Sequence, residues 1–574
     1  MNQEKQTSMH QEMAGQEIVQ QDTNLVQGNA GSGQEPVAKQ DDARYKRADV
    51  YTDVLLTEES SAVQAGYFRM FALPSLLYAI MYTVCMFRNS SGITMPVWIL
   101  TTMLYACIIR KKTAVVRKTK NWGIGRFYMA VMLLLGMATC LTDNGSVILF
   151  NYVGFFLLLL LFLMHEFYDD SQWDFTKSLT ETAAAVFGAI GCMFLPFTDG
   201  HAFYQEKHIR KNKTVYAVLI GFALAVPALI FLGFCLMCAD AVFDAMIGQL
   251  MAGLRVPVNA AQACVMLLFG FFSSYCGMRY LLRRRCKETP VYQTAFDPVI
   301  AITFTGLLLS MYVVFCGVQI LYLFAGGMDL PRGMTYAQYA QRGFYMLLFV
   351  CLVNFVLVLL IRKYFARHHV LDVMLICMCA CTFLMMASSA YRMVLYISVY
   401  QLTFLRVLVL AALAVLALLM AGVVLIIVQP RFPLLRYSIA VVSVGWLCLA
   451  FSHVDAVIAS YNLSHATENP GRMDWQYLSM LSLDAAPVIA DYYEHAPADV
   501  RGQLQTGMQY ARRKSLRQGN EMGMLSAEDG MTVQSDWFEN YVCQVIEAEK
   551  EMGVRNFNVS RYRAVQAFEK FLKP

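Results

Sequence analysis

The sequence predicts an all-α protein: a polytopic transmembrane helical bundle of about 11 spans followed by a small C-terminal helical domain. Of its 574 residues, 57% are apolar and only 15% are charged, whereas soluble domains carry about 25% charged residues. Apolar runs of the length that a bilayer requires, about 20 residues, recur between positions 68 and 451. We therefore divide the chain into an N-terminal tail (1–65), a membrane domain (66–453) and a hydrophilic C-terminal domain (454–574).

The N-terminal tail is rich in Gln, Glu, Ser, Gly and Asp and contains no aromatic residue before Tyr45. Such a segment buries too little apolar area to offset its ordering entropy, so we expect a disordered cytoplasmic tail. A cleaved signal peptide has a basic start followed by an apolar region within about 30 residues, and this sequence lacks that pattern. The first apolar run, 68–87, is therefore expected to act as an uncleaved signal anchor.

The membrane domain contains 11 candidate spans by length and apolar content. They are 68–87, 93–109, 127–141, 147–164, 215–238, 258–282, 299–325, 344–361, 370–387, 402–428 and 439–451. A further apolar stretch, 183–197, is short and contains Pro196 near its end. We interpret that stretch as interfacial or re-entrant rather than spanning.

Lys and Arg are concentrated in alternate connections, at 110–120, 207–213, 283–287, 362–367 and 431–436. By the positive-inside rule these connections are cytoplasmic. We expect a plasma-membrane protein with a cytoplasmic N-terminus and a C-terminal domain outside the cell. The lipid bilayer is then the main partner. Because the basic residues form short clusters rather than one face, the net charge of +5 does not indicate a nucleic-acid partner.

The C-terminal domain is expected to end in a helix. Ser560 is a suitable N-cap residue. Apolar residues then recur at three- and four-residue spacing and form one stripe, made of Tyr562, Val565, Phe568 and Leu572.

Several blocks of sequence resemble a bacterial multi-pass membrane family. They read VDAVIASYN at 454–462, DWQYL at 474–478, LSLDA at 481–485, TYAQYAQRGF at 335–344 and FNVSR at 557–561, together with Tyr391, Arg392, Met393, Tyr396 and Tyr400. The family is classed only as a domain of unknown function, the 4153/4173 group. The resemblance covers roughly 215–574. It implies a helical bacterial membrane protein and supplies no activity or catalytic residues.

Three of these blocks are expected to meet at the outer face of the bundle, where they form a candidate ligand cluster. Arg side chains fork onto phosphate or carboxylate, and Tyr supplies both a ring and a hydroxyl group, so an anionic or polyhydroxylated envelope ligand fits. An aromatic belt with snorkelling Arg side chains is the alternative interpretation. The cluster comprises Tyr336, Tyr339, Arg342, Arg392, Tyr396, Tyr400, His453, Asp455, Tyr461 and Asn462.

Few polar residues are expected deep in the bilayer. Asn151, Gln319 and Asn354 are the clear examples, and no carboxylate is evident among them. They are interpreted as hydrogen-bonding contacts between helices, or alternatively as the lining of a transport path.

A third polar group, around His165 and Asp169, has metal-ligand spacing but no HExxH pattern. We interpret it as a solvated helix end. No metal site and no cofactor are predicted.

No nucleotide-binding loop, nucleophile elbow or kinase motif is present. The sequence therefore favours a non-enzymatic role in envelope sensing, scaffolding or regulation, with an envelope ligand or another membrane protein as partner. A permease or lipid translocator is the second hypothesis. A membrane-embedded transferase acting through the outer Arg and Tyr residues is the third.

Overall fold

The computed structural model describes residues 61–113, 122–168, 175–206, 258–283, 296–321, 336–466, 473–517 and 533–572, with isolated positions between 170 and 247. These parts of the chain are helical, and their only extended pairing is an isolated bridge between Phe296 and Phe365. The predicted all-α class is thus confirmed. The N-terminal tail and the predicted span at 215–238 lie outside the described residues, apart from a few positions.

The membrane domain contributes the first 12 helices of the described residues. They are α1 (Ser61–Met86), α2 (Thr94–Lys112), α3 (Trp122–Leu141), α4 (Gly145–Phe167), α5 (Phe175–Gly191), α6 (Leu195–Glu206), α7 (Val258–Arg283), α8 (Pro298–Gln319), α9 (Tyr336–Tyr364), α10 (His369–Tyr400), α11 (Phe404–Val428) and α12 (Leu434–Phe451).

Among the described residues, nine helices are long and apolar enough to cross a membrane, or up to 10 if a bent pair counts as one span. The nine are α1, α3, α4 and α7 to α12. Helix α2 corresponds to another predicted span. It lies in the same bundle but ends on Arg110, Lys111 and Lys112, so its apolar part is shorter. The chain is a multi-pass membrane protein.

Two helical bundles have separate apolar cores. In the first bundle (α1 to α7), residues such as Phe71, Met132 and Phe162 are buried together. In the second bundle (α8 to α11), the buried core includes Cys351, Met378 and Met420. Helix α12 joins them. Its Trp446 donates to Asn151 of α4, and its Tyr437 donates to the Leu418 carbonyl of α11.

The bundle has two distinguishable ends. One, which we call the basic end, carries the termini of α2, α7 and α9 with Arg110, Arg283 and Arg362. The opposite end, which we call the tail end, carries the connections α1–α2, α3–α4 and α10–α11. The C-terminal domain contacts all three of these connections. The C-terminal domain therefore lies at the end of the bundle opposite the basic end.

Helices α5 and α6 form a pair bent by 55° at a short break, as in a broken span or a re-entrant loop. Helix α5 begins at the basic end, because Lys177 packs on Trp173, which stacks on Tyr168. Helix α6 ends with Glu206 paired with Arg69, near the start of α1. Both outer ends of the pair therefore contact the first bundle.

The C-terminal domain contains α13 (Val454–Ala466), α14 (Trp475–Ser479), a 3-10 turn (Leu483–Ala485), α15 (Ala486–His495), α16 (Ala498–Arg517), α17 (Val533–Glu551) and α18 (Val559–Leu572). Its core is aromatic: Trp475 stacks on Trp537 at 5.6 Å between ring centroids, and Tyr493 stacks on Phe538 at 5.4 Å. Such pairs add about 0.5–1.5 kcal/mol each beyond burial of their area.

The start of α18 differs from the prediction. Asn558, rather than Ser560, caps the helix, because its Oδ1 accepts from the N–H groups of Ser560 (2.8 Å) and Arg561 (3.4 Å). The Ser560 hydroxyl instead donates to Asp484. Tyr562 is 43% exposed and so does not join the buried stripe, whereas Phe568 is fully buried.

Candidate functional site

The predicted outer cluster separates into two sites at the tail end. The first is a cavity of about 160 Å³ between α9, α10 and the start of α11. Arg392, Tyr396, Thr403 and Arg406 supply its polar lining, and Phe344, Tyr345, Met393 and Leu405 supply the rest. We call this the arginine pocket. Its volume exceeds that of a few water molecules, at about 30 Å³ each, and so admits a phosphate or carboxylate group.

Arg392 is buried near the end of α10. Its guanidinium donates to Gln319 Oε1 on α8 at 3.1 Å, and Ser388 donates to the same oxygen at 2.7 Å. The guanidinium packs closely on Gly343 of α9, because a Cβ at that position would overlap it and require the arginine side chain to shift. Gln319 therefore joins two of the predicted groups, the outer cluster and the intramembrane polar residues.

Arg406 lies in the first turn of α11. Its guanidinium packs over the Tyr396 ring at 4.4 Å from the centroid and donates to the Tyr400 and Gln401 carbonyls. A positive charge at a helix N-terminus opposes the helix dipole, which favours anions there. An arginine at this place therefore suits a site that receives a negative group. The sequence signal was a basic residue just after a span begins, and our prediction of the cluster omitted it.

The α10–α11 connection forms one wall of the pocket and is held by the C-terminal domain. Asn462 of α13 accepts from the Leu402 N–H and donates to the Leu402 carbonyl, both at 2.9 Å. The Tyr477 hydroxyl accepts from the Phe404 N–H at 2.8 Å. Gln401, between the helices, has φ of 66°, a left-handed conformation that costs a non-glycine residue free energy. The hydrogen bonds from the C-terminal domain therefore hold a strained connection in place.

The second site is a buried polar cluster between the C-terminal domain and the α3–α4 connection, which we call the aspartate lock. Asp484 accepts hydrogen bonds from the Asp143 N–H (2.9 Å), the Thr142 hydroxyl and the Ser560 hydroxyl. Arg561 pairs with Asp143 at 2.7 Å. His453, a predicted ligand residue, lies 3.8 Å from Asp484 and has φ of 48°.

Asp455 belongs to the same lock. Its carboxylate accepts from Asn144 Nδ2 at 2.8 Å and from the Ser482 N–H at 3.0 Å, while Asn144 also caps α4 through Val147 N–H. His453 and Asp455 thus join the tail to the first bundle, and the structure does not place them with Arg392 and Tyr396. Grouping them with Arg392 and Tyr396 in one cluster was wrong, because the start of α13 packs on the α3–α4 connection and only Asn462, further along α13, reaches the α10–α11 connection.

Two carboxyl groups of the aspartate lock, those of Asp143 and Asp484, have pKa values shifted in opposite directions. Burial raises the pKa of Asp143, and the nearby Arg561 reduces that rise only in part. Burial also acts to raise the pKa of Asp484, but the His453 ring, the Ser560 and Thr142 hydroxyls and the Asp143 N–H outweigh it, so the pKa is lowered. Asp484 is therefore ionised near neutral pH. Its carboxylate oxygens accept hydrogen bonds that hold the C-terminal domain against the α3–α4 connection.

The intramembrane residues lie in separate helix contacts. Asn354 of α9 accepts from the Tyr312 hydroxyl (2.7 Å) and donates to the Thr382 hydroxyl (3.0 Å). Asn151 of α4 accepts from Trp446 Nε1 at 2.7 Å, and its Nδ2 has no hydrogen-bond partner among the described residues. Gln319, as described, lies beside Arg392. These positions do not form one continuous lining in the described structure.

A buried carboxylate is present, contrary to the prediction from sequence. Asp199 of α6 and Arg279 of α7 are both fully buried and form an ion pair with 2.9 Å between Oδ2 and Nε. Tyr275 donates to the same Oδ2 at 2.9 Å, and the Tyr67 ring lies 3.9 Å from the guanidinium. The sequence did not reveal this pair because α6 is short and polar, so Asp199 was counted in a connection.

His165 and Glu166 at the end of α4 are also buried, so the predicted solvated helix end was wrong. His165 pairs with Asp170 at 2.9 Å, and Glu166 pairs with Arg110 at 3.1 Å. Within the described ranges, no group of three or more His, Cys, Asp or Glu side chains has the geometry of a metal site.

Three predicted residues of the outer cluster cannot be assigned to either site. The side chains of Tyr336, Tyr339 and Arg342 lie outside the described residues, although their backbone belongs to α9. Of the others, Tyr400 stacks on Tyr396 at 5.0 Å, and Tyr461 packs on His465 at 4.4 Å.

A family model described as "Domain of unknown function (DUF4153)" matches residues 129–492. The match begins earlier than the blocks that carried the resemblance, and it ends before the block at 557–561. It includes the arginine pocket and most of the aspartate lock, but not Ser560 or Arg561. No curated protein and no solved structure matches the chain.

Proposed function

Because the chain belongs to the DUF4153 family, which carries no assigned activity, we propose a function from its geometry: a membrane sensor that binds an anionic group in the arginine pocket. Occupancy of the pocket is passed to the C-terminal domain. The observation that carries the proposal is the α10–α11 connection, which lines the pocket on one side and is hydrogen-bonded to Asn462 and Tyr477 on the other.

Charge supports an anionic ligand. Among the described residues, the lining of the pocket includes Arg392 and Arg406 and no Asp or Glu. Guanidinium groups bind phosphate or carboxylate through paired, charge-assisted hydrogen bonds, which are roughly twice as strong as neutral ones. Tyr396 adds a ring that already packs against Arg406. An anion between the two arginines would draw Arg406 away from the Tyr400 and Gln401 carbonyls and so loosen or reset the connection.

Hydrogen exchange of the purified full-length protein tests the proposal. The anion is supplied either as inorganic phosphate or as phosphatidylglycerol in lipid nanodiscs. We expect altered exchange both at 401–406 and at 473–480 in the C-terminal domain, because these segments share a hydrogen bond. Arg406→Gln should abolish both changes. Arg69→Gln, an exposed arginine paired with Glu206 at the basic end, is the matched control and should keep them.

Two results would contradict the proposal. If neither anion changes exchange at 401–406, the pocket is not an anion site. If exchange changes at 401–406 but not at 473–480, binding is not transmitted to the tail and a sensing role is lost.

Translocation is the second candidate, and the bent helix pair α5–α6 together with the buried Asp199–Arg279 ion pair favours it. Charged groups inside a membrane domain and broken helices are typical of transport routes. Proteoliposome flux tests this candidate. A flux that falls in Asn354→Leu and in Asp199→Asn would support it, whereas the absence of flux for either anion would exclude those anions as cargo.

A further inference from the structure

We infer that the ligand of the arginine pocket is an anionic phospholipid that enters sideways from the tail-end leaflet. This inference rests on the proposed function, because it identifies the source of the anion for the same pocket. Three features carry it: the depth of the pocket, its exposed apolar mouth and the charge of its lining.

The pocket lies at the depth of lipid headgroups. Helix α10 has 32 residues, and at 1.5 Å per residue it is about 48 Å long. The hydrocarbon core of a bilayer is only about 30 Å thick. The same rise places Arg392 about 33 Å along the axis from Val370, near the start of the helix. Arg392 therefore lies near the tail-end edge of the hydrocarbon, and Tyr396 and Tyr400 lie among the headgroups.

The pocket has an apolar mouth on the outside of the bundle. Tyr345 and Leu405 both line it, and they are 50% and 54% exposed. Towards the bilayer centre, the same surface continues on α9 through Met346 and Phe349, which are also exposed. Exposed apolar side chains on a spanning helix face lipid chains. An acyl chain lying on this surface would bring its headgroup to the mouth.

The charge of the lining selects among lipids. Arg392 and Arg406 bring two positive charges to a pocket whose lining, in the part of the chain that the structure describes, contains no carboxylate. A lipid phosphate with a net negative charge fits this lining, whereas a zwitterionic lipid brings its own cation. Phosphatidylglycerol is therefore the preferred probe, and phosphatidylcholine is the matched background lipid.

Thermal unfolding in nanodiscs tests the inference. We expect the unfolding temperature of the full-length protein to rise with the fraction of phosphatidylglycerol in phosphatidylcholine. Inorganic phosphate or glycerol 3-phosphate, added to nanodiscs of phosphatidylcholine alone, should give no such rise. Arg406→Gln should weaken phosphatidylglycerol binding about tenfold or more, because it removes a charged hydrogen-bonding partner. Arg406→Lys should retain part of the binding.

A second variant separates loss of binding from loss of folding. Leu405→Asn changes the mouth but keeps both guanidinium groups, and Leu405 is largely exposed, so folding in phosphatidylcholine should be unchanged. We expect it to reduce the response to phosphatidylglycerol. An unchanged response in Leu405→Asn, or an equal response in wild type and Arg406→Gln, would overturn the lipid inference.

The soluble anions distinguish this inference from the proposed function. If inorganic phosphate stabilises the wild type in phosphatidylcholine and Arg406→Gln abolishes the effect, the pocket is an anion site but its ligand is soluble. The lipid inference then fails while the proposed function stands. If neither source gives an effect that depends on Arg406, both fail.

Discussion

The C-terminal domain holds the two bundles by different kinds of bond. At the first bundle it uses charged groups that are partly or fully buried, with Arg561 on Asp143 and Asp484 on Thr142. At the second bundle it uses the neutral side chains of Asn462 and Tyr477. Hydrogen bonds to charged groups contribute about 1.5–3 kcal/mol each, against about 1 kcal/mol for neutral ones. The C-terminal domain is therefore held more strongly on the first bundle and is more easily displaced from the second bundle, where the arginine pocket lies.

The buried arginines of the two bundles, Arg279 and Arg392, also differ in the neighbours that they contact. Arg279 in the first bundle is closed in by Asp199, Tyr275 and Tyr67. Arg392 in the second bundle contacts the neutral Gln319 and borders a cavity. In the first arrangement each charge is matched by its neighbour, and in the second a space beside the guanidinium leaves room for a ligand. Burial of an arginine therefore says little about function until its neighbours are known.

The largest effect is expected from breaking the Asp199–Arg279 pair. Asp199→Ala leaves a buried guanidinium without its carboxylate, which costs about 3–5 kcal/mol of unfolding free energy. Denaturant unfolding in detergent measures the loss. The double variant Asp199→Leu with Arg279→Met should lose much less, because a buried ion pair can be replaced by apolar side chains at little cost. Equal losses in the single and double variants would show that the pair is not the source of the stability.

A smaller effect, with a distinctive pH dependence, is expected from Asp484→Asn. The pKa of Asp484 is lowered from 3.8 in the folded protein. Its contribution to stability is thus fully present above the unfolded-state pKa and is lost as the pH falls through the folded-state value. We expect Asp484→Asn to cost about 1.5–3 kcal/mol near neutral pH and to remove this loss at low pH. Unfolding measured between neutral and strongly acidic pH tests both. A wild type with the same acid slope as the variant would contradict the assignment.

The smallest effect on stability is expected from Asn462→Leu, at the contact with the second bundle. Two neutral hydrogen bonds are lost, for about 1–2 kcal/mol in total, with no dependence on pH in the range where Asp484 titrates. Hydrogen exchange should become faster at 401–404 and remain unchanged at 142–144. Faster exchange at both places would mean that the tail leaves the two bundles together, and the contrast between them would be lost.

Most of the membrane architecture was predictable from sequence, because apolar length and alternate basic connections decide where helices lie in a bilayer. The grouping of Arg392, Tyr396 and Tyr400 was predictable too, since spacings of four residues place them on one face of α10. The separation of His453 and Asp455 was not. That separation depends on the left-handed backbone conformation of residue 453, which the residue type does not predict.

Asp199 and Arg406 show a second limit of the sequence. The burial of Asp199 depends on how the short helix α6 packs against α7. The position of Arg406 beside the pocket depends on which face of α11 meets α10. Both are decided by packing between segments distant in sequence. The same holds for the N-cap of α18. The Ser560 hydroxyl donates to Asp484, so Asn558 caps the helix instead.

The contact at Gly92 has a consequence for how the protein is made. Arg555 donates to the Phe87 carbonyl at 2.7 Å across 468 positions of sequence, and the Ile93 N–H donates to Phe557 O at 3.0 Å. Gly92 has φ of 108°, and a Cβ there would lie 2.7 Å from Phe557 O. The connection between α1 and α2 is therefore covered only after the segment at 555–557 has been synthesised and folded against it. A variant lacking 555–557 would leave that connection uncovered throughout.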